Sequence, residues 1–472
     1  MNALQQLAEF AVECRDKGVP GEVSRSMRQR VLDILGISLG AHRLPSSQAV
    51  VALIAGEGGR PDACIIGRPR HRVPAAQAAF VNGVLAHSLD YDDTHLPSVL
   101  HPSASVVPAA LAAGEAAGSS GEQLIRAAAA GVEVVVRLGM AGYDPATGTS
   151  LFFDRGQHAT SICGTVGAAA AAALLFDLDA ERVGHAMAIS VSFAGGVLEG
   201  NRTGGTVKRM HCGSAAGAGV RAAQLAAAGI TGPPTVLEGR FGFYHAFLSG
   251  QYDERELTGG LGESWAVPGI FFKPYPANHF THAGIDAARA MAAAGLRPED
   301  VAEAELAVAA PSVRTIGEPI AEKRAPLTGY QGQFSGPYTV AAALYGGGGL
   351  GLGIGDFTDE LACDPGRRAL MARISVVSDP VCDEIFPHQF PAILRVRTHD
   401  GRRLEERVLA NRGGPKRPLD DSELHVKLVD AARQELSGPG CDRLAEQVFE
   451  LPRTRVLTGL LAAAGAGPDS ES

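Results

Sequence analysis

The chain has 472 residues, 46% of them hydrophobic and 20% charged, and a formal net charge of −9. That is more chain than one ordinary core uses, so two or three domains are expected, with the composition of a soluble globular protein. The negative charge, with no basic or aromatic-interleaved stripe, excludes a nucleic-acid binder, so any anion site must be a local cationic cluster working against the global field.

Residues 3–16 and 22–41 carry apolar side chains at helical spacing, with Leu4, Leu7 and Phe10 in the first and Val23, Met27, Val31 and Leu35 in the second. Glu9, Glu13 and Asp16 are wrong for a secretory signal, and the longest apolar run, 161–176, is too short for a bilayer. A cytoplasmic protein without membrane contact is the expectation. Seven scattered cysteines contain no C-x-x-C and suggest neither a zinc or iron–sulfur site nor a disulfide framework. Gly36-x-Ser38-x-Gly40 spells a nucleophile elbow, but helical pattern precedes it where the elbow needs a strand, so tight helix packing is expected.

After a broken stretch over 48–75 comes the densest polar segment, His87-Ser-Leu-Asp90-Tyr-Asp92-Asp93-Thr94-His95, continued by His101-Pro102-Ser103. Helical spacing precedes it (Ala76, Phe80, Val84) and resumes after it (Val106, Val107, Ala110), while Pro97 and Pro102 stop one helix from running through. The spacing predicts a helix–loop–helix corner dense in proton-exchanging groups, suited to acid–base chemistry. Asp92 and Asp93 read as helix-end carboxylates and His87 as a core histidine.

A further helix spans 121–141. His158 lies in the turn before an Ala-rich helix over 162–176, with Thr160 or Ser161 as its N-cap, and another helix covers 180–198. The turn from Gly200 sets Arg202, Lys208, Arg209 and His211 at the head of a helix over 213–228. Lys208-x-x-His211 beside a helix N-terminus fits a carboxylate or oxyanion pocket. Past residue 266 the texture changes. Lys273-Pro-Tyr-Pro leads through His279-x-x-His282 into a short helix over 283–295, and 304–308, 374–377 and 392–396 read as strands. Helix returns over 420–437 and 441–449. His279-x-x-His282 has no third metal ligand nearby, so no metal is expected. Gly346–Gly351 matches G-x-G-x-x-G without a strand–turn–helix context and reads as a flexible loop. The fold class is mainly α with an α+β second domain: a helical domain over 1–267, completed by 409–472, and an α/β domain over 268–408.

Several segments resemble, in order, those of the MmgE/PrpD family over about residues 5–437. They are Leu89-Asp90-Tyr-Asp-Asp-Thr94-His with His101-Pro-Ser and Glu115, then Gly156-Gln-His158-Ala-Thr and Thr206-Val-Lys208-Arg-Met-His211. Thr235-Val-Leu-Glu-Gly-Arg-Phe-Gly, Lys273-Pro-Tyr-Pro to His282, and Phe334-Ser-Gly-Pro-Tyr338 complete the set. The resemblance implies a helical domain with a smaller α/β lid, homodimers, an active site between the domains, and catalysis without a metal or organic cofactor. Carried over by motif, the site residues are Asp90, Thr94, His101, His158, Lys208 and a histidine of the Lys273 segment, for which His279 and His282 compete. His211 and Arg202 are further candidates.

The residue chemistry agrees. Proton removal next to a carboxylate builds negative charge that preorganised cations and donors must stabilise. Lys208 and Lys273 are expected to clamp a small di- or tricarboxylate, with His101 or His158 as acid or base, Asp90 orienting an imidazole, and Thr94 holding substrate. The family includes 2-methylcitrate dehydratases, cis-aconitate decarboxylases and an iminodisuccinate epimerase. The first expectation is a cofactor-independent hydro-lyase of the 2-methylcitrate dehydratase kind. Decarboxylation or epimerisation by the same residues is the alternative, and an inactive ligand-binding scaffold the reading from another class. The segment Leu96–His101 departs from the Trp-bearing form of the 2-methylcitrate dehydratases, and Asn278-His279 from a common Cys-Arg pattern.

Overall fold

A computed structural model of the protein describes residues 1–200 and 205–465. Two compact units emerge, one made of residues 1–270 with the chain from 432 onward, the other of residues 271–431.

The first unit is helical. Helix α1 (Ala3–Lys17) starts on a reciprocal cap, Asn2 accepting from the Gln5 amide while the Gln5 side chain accepts from the Asn2 N–H. Then follow α2 (Gly21–Ala41), α3 (Pro45–Glu57), the hairpin β1 (Ala63–Ile65) and β2 (Arg68–Val73), α4 (Ala75–His87), α5 (Ser103–Ala117) and α6 (Gly121–Ala141). A short hairpin with strands of two residues each, β3 (Tyr143–Asp144) and β4 (Thr149–Ser150), leads to α7 (Leu151–Asp154), α8 (Ala159–Leu175), α9 (Ala180–Val191) and α10 (Lys208–Ala227). Ser38 sits fully buried inside α2, so the Gly-x-Ser-x-Gly letters mark helix packing. Helices α4, α5, α6, α8 and α10 form the centre, α10 lying against both α4 and α8.

Small residues make that centre tight. A Cβ added to Gly213 of α10 would stand 2.4 Å from the Phe80 carbonyl oxygen of α4, and one on Gly83 would stand 2.8 Å from the Cys212 oxygen. Backbone therefore meets backbone, which draws the C-terminal end of α4 beside the first turns of α10.

Three boundaries around His158 and His211 differ from expectation, besides the helix Pro45–Glu57 inside the stretch expected to be broken and the helix expected over 420–437, which ends at Ala432. Helix α8 begins at Ala159, so Thr160 and Ser161 lie in its first turn and His158 takes the N-cap position without a side-chain cap. Their hydroxyls are used elsewhere: Thr160 accepts from the His101 amide (3.2 Å) and Ser161 donates to the His211 carbonyl (3.1 Å). Helix α9 stops at Val191 rather than 198, because Val197 bridges back to Gln157 and the Gly196 carbonyl accepts from the His158 amide. Helix α10 starts at Lys208, five residues early, so Lys208 and His211 share a helical face. Among the described residues no helix is long and apolar enough to cross a membrane.

The second unit holds a four-stranded sheet of order β6–β5–β7–β8, from β5 (Val301–Val308), β6 (Ile374–Ser378), β7 (Ala392–Thr398) and β8 (Arg403–Val408). Strand β5 pairs parallel with β6 and antiparallel with β7, Leu306 opposite Leu394, and β7 pairs antiparallel with β8. The charged alternation of β8, Arg-Leu-Glu-Glu-Arg-Val, hid it from a hydrophobic-pattern reading and suits an edge strand. Helices α11 (His282–Ala293) and α12 (Gly336–Tyr345) pack together, α11 also against β7 and β8, around Ile285, Leu306, Val340 and Leu394.

The segment 409–431, expected with the helical domain, packs in this second unit. The Phe272 amide donates to the Gly413 carbonyl (2.9 Å), and Arg417 pairs with Asp286 of α11 (3.0 Å). The loop 346–351, expected to be flexible, is pinned by carboxylates at points within it and just after it: Asp356 Oδ2 accepts from the Gly348 (2.9 Å) and Gly353 (2.8 Å) amides, and Asp430 from the Ile354 amide (3.0 Å). The protein's own carboxylates therefore occupy amides that a nucleotide phosphate would need.

Candidate active site

Four imidazoles line up in the first unit. His101 and His87 have ring centroids 5.4 Å apart, His87 and His158 5.5 Å, His158 and His211 5.0 Å. Each comes from a different piece of chain: His87 ends α4, His101 closes the loop after it, His158 stands at the head of α8, and His211 occupies the first turn of α10.

The loop from 88 to 102 is folded by its sequence. Ser88 bonds back to the Val84 carbonyl (2.6 Å) as α4 ends, and Asp90 turns the chain at φ 52°, a left-handed geometry that Asp tolerates better than most residues. The His95 amide donates to the Leu100 carbonyl (2.8 Å) around Pro97. Beneath it lies a buried ion pair: Arg30 of α2 reaches Asp93 at 2.7 Å, with each side chain 1% exposed. Asp93 also accepts from the Ser103 amide (3.2 Å) and hydroxyl, anchoring the start of α5, and Arg30 donates to the Val267 and Ile270 carbonyls. Asp93 is thus an anchor of the corner.

This anchor orients His101. Its Nδ1 lies 2.7 Å from the Asp93 carbonyl oxygen and 3.3 Å from the Thr94 hydroxyl. A carbonyl can only accept, so Nδ1 carries the hydrogen in either protonation state, and a change of charge takes place at Nε2. Where Asp90 was expected to orient an imidazole, Asp92 is the carboxylate found on one, 2.8 Å from His87 Nδ1, and Asp90 stands 3.3 Å from Lys208 Nζ. His87, read from sequence as a core histidine, is therefore central to the cluster. The available signal was Asp92 five residues on, in the loop that follows the helix.

His158 and His211 face each other through their Nδ1 atoms at 2.9 Å. Two imidazolium rings would point N–H at N–H, so the contact holds one hydrogen and at most one ring can carry a charge, which burial disfavours. Burial, with help from His87 and Lys208, pushes His211 down to about 4, and burial pushes His158 well below the ordinary imidazole range. Lys208 stands three residues before His211 on α10, and its ammonium pairs with Asp90 of the corner, which brings it to the cluster. The cluster has an open end: His101 and Lys208 side chains are 12% and 13% exposed, against 1% and 0% for His87 and Asp92. Burial holds the Cys163 and Cys212 thiols far above their usual range, so neither is a nucleophile.

In the second unit Lys273 is buried, and the His279 and His282 rings lie against each other at a tilt of 32°, centroids 4.5 Å apart. His282 Nε2 is 3.1 Å from the Ala277 carbonyl, so that nitrogen serves the local fold, while the His279 ring packs edge-on to Phe271 and Phe390. Arg202 lies outside the described residues. Among the described residues no group of three or more His, Cys, Asp or Glu side chains is arranged to hold a metal ion.

The buried histidines set a pH dependence. His211 and His95 are held at about 4, each chiefly by burial, whereas an unfolded imidazole titrates near 6.5. Between those values the unfolded chain binds protons that the folded chain refuses, so stability falls as pH drops from 6.5 to 4, by up to about 1.4 kcal/mol per pH unit per group. Thermal midpoints across that window should decline, and less steeply in a His95→Asn variant. A flat profile would mean that these rings are protonated in the fold.

Residues 5–256 match the family model for the MmgE/PrpD N-terminal domain, and residues 275–451 match that for the MmgE/PrpD C-terminal domain. The chain is 30% identical to cis-aconitate decarboxylase of Homo sapiens, over 84% of this chain and 81% of that protein. It is 29% identical to cis-aconitate decarboxylase of Mus musculus, over 93% and 89%. A cis-aconitate decarboxylase-like protein of Aspergillus oryzae is 26% identical over 98% and 97%.

Proposed function

The chain belongs to the MmgE/PrpD family and is a lyase, and from that premise we propose that it decarboxylates a small unsaturated tricarboxylate of the cis-aconitate class. One observation carries the reading: His101 is fixed through Nδ1 on the Asp93 carbonyl and ends a row of imidazoles, with Lys208 one turn from His211 at its other end. Loss of carbon dioxide from a carboxylate one carbon away from a C=C bond leaves its electron pair to form a new C=C bond. The displaced alkene pair must then take a proton at the carbon beside a second carboxylate. His101, as an imidazolium, gives that proton from Nε2 and becomes neutral, then recovers a proton through its exposed edge. Lys208 clamps a carboxylate that remains, and the neutral His158–His211 pair offers one N–H donor to the charge that builds up. Lys273 and one of His279 and His282 belong to the same proposal as carboxylate ligands, Thr94 as a hydroxyl beside His101, and a homodimer as the assembly.

A hydro-lyase reaction is the second reading. The His158–His211 pair favours it, since two rings sharing one hydrogen necessarily present one donor and one acceptor, which water elimination also needs.

Proton NMR in D2O with cis-aconitate, citrate-like and succinate-like acids separates the two. The expected result is a new pair of vinyl signals, one deuterium in the product methylene and stoichiometric carbon dioxide, unchanged after dialysis against a chelator. Water addition or loss without carbon dioxide would move the enzyme to the hydro-lyases. Deuterium entering without net conversion would make it an epimerase.

A further inference from the structure

A cavity of about 530 Å³ opens in the second unit between α11, the edge strand β8 and the turn that follows it, walled by Arg289, Arg407, Arg412, Arg417, Asp286 and Glu406. Four guanidinium groups against two carboxylates stand out in a chain of net charge −9. Arg417 pairs with Asp286 (3.0 Å), Arg407 with Glu405 (2.7 Å) and Arg412 with Glu423. Arg289 makes no ion pair among the described residues, and its Nη1 donates to the phenol oxygen of Tyr275 at 3.1 Å.

The fold builds a seat for this charge. A Cβ on Gly351 would stand 2.1 Å from Arg289 Nε, so the glycine-rich loop leaves the space through which the side chain passes. The loop also contributes the Leu350 carbonyl, which accepts from Arg412 Nη1 (3.1 Å). Tyr275 binds Asp286 with its hydroxyl, and burial beside that carboxylate pushes the phenol up to about 12, so it stays protonated and adds no negative charge.

We propose that this cavity is a second anion site, taking a compact polyanion with two or more carboxylate or phosphoryl groups, and that its occupant acts on the segment carrying Lys273. Guanidinium forks match both oxyanions bidentately, and several in one concave wall concentrate an anion against the global field. The coupling runs through two contacts of that segment. The Phe272 amide, next to Lys273, donates to the Gly413 carbonyl between Arg412 and Arg417, and the ring of Tyr275 lies 5.3 Å from that of His282. The site is independent of which lyase reaction the enzyme performs.

Calorimetric titration of the full chain with inorganic pyrophosphate, and separately with propane-1,2,3-tricarboxylate, tests it. One pyrophosphate per chain is expected, weakened at least tenfold by Arg289→Gln and severalfold by Arg407→Gln, a half-exposed residue whose change leaves the core untouched. In steady-state assays pyrophosphate should shift the KM of the wild type at least twofold and leave that of Arg289→Gln unmoved. If the tricarboxylate gives a second event lost in the same variants, the occupant is a polycarboxylate; if only pyrophosphate does, it is a phosphoryl compound. Binding that survives both arginine variants, or disappears instead with Lys208→Ala, would overturn the site. Binding with no change in KM or kcat would overturn the coupling.

Discussion

Replacing His101 with alanine is expected to lower turnover about 10²–10⁴-fold, the range for losing a positioned proton carrier, with KM nearly unchanged. The ring is the member of the imidazole row best placed to exchange protons. Its Nδ1 is committed to the Asp93 carbonyl, and it keeps 12% exposure at the open end. His158 and His211 are held neutral by burial and by each other, so they are poor carriers near pH 7. Folding should survive, because the His101 amide bond to Thr160 does not need the side chain. The decisive comparison is kcat against KM, with deuterium incorporation measured in parallel. If KM rises while kcat is kept, His101 binds substrate and the proton comes from elsewhere.

Arg30→Ala is expected to cost about 3–5 kcal/mol of stability, the usual result of stripping one partner from a fully buried ion pair. Asp93 would be left charged at 1% exposure, and the Val267 and Ile270 carbonyls would lose their donor. The damage reaches function, since Asp93 presents the carbonyl that seats His101 and holds the start of α5 through Ser103. Adding Asp93→Asn should recover part of the loss by removing the stranded charge, while Asp93→Asn alone strands Arg30 and should destabilise. Thermal unfolding of the three variants reads the effect. Equal midpoints for wild type and Arg30→Ala would show that the pair contributes nothing to the corner.

Much was legible in the residues alone. Helices 121–141 and 22–41 announced themselves by apolar spacing, and the polar segment from His87 to Ser103 marked its own corner with two prolines. Strands β5, β6 and β7 were readable because they alternate or run apolar; β8 was not, being a charged edge. The family segments supplied the candidate residues in order, and the matched models cover residues 5–256 and 275–451.

Roles inside the cluster were a different matter. Nothing in local spacing says that Arg30, sixty-three positions earlier, neutralises Asp93, or that Asp92 rather than its neighbour holds His87. Adjacent carboxylates on a loop point in different directions, and only packing decides which meets a cation, a helix start or an imidazole. The His158–His211 pair likewise depends on Gly83 and Gly213 letting α4 and α10 touch backbone to backbone, and on Ser161 fastening α8 to the His211 carbonyl. Composition and motif order therefore determined the class of fold and the chemical inventory. Which proton sits on which nitrogen was decided by tertiary contacts, because it depends on burial and on partners far away in the chain.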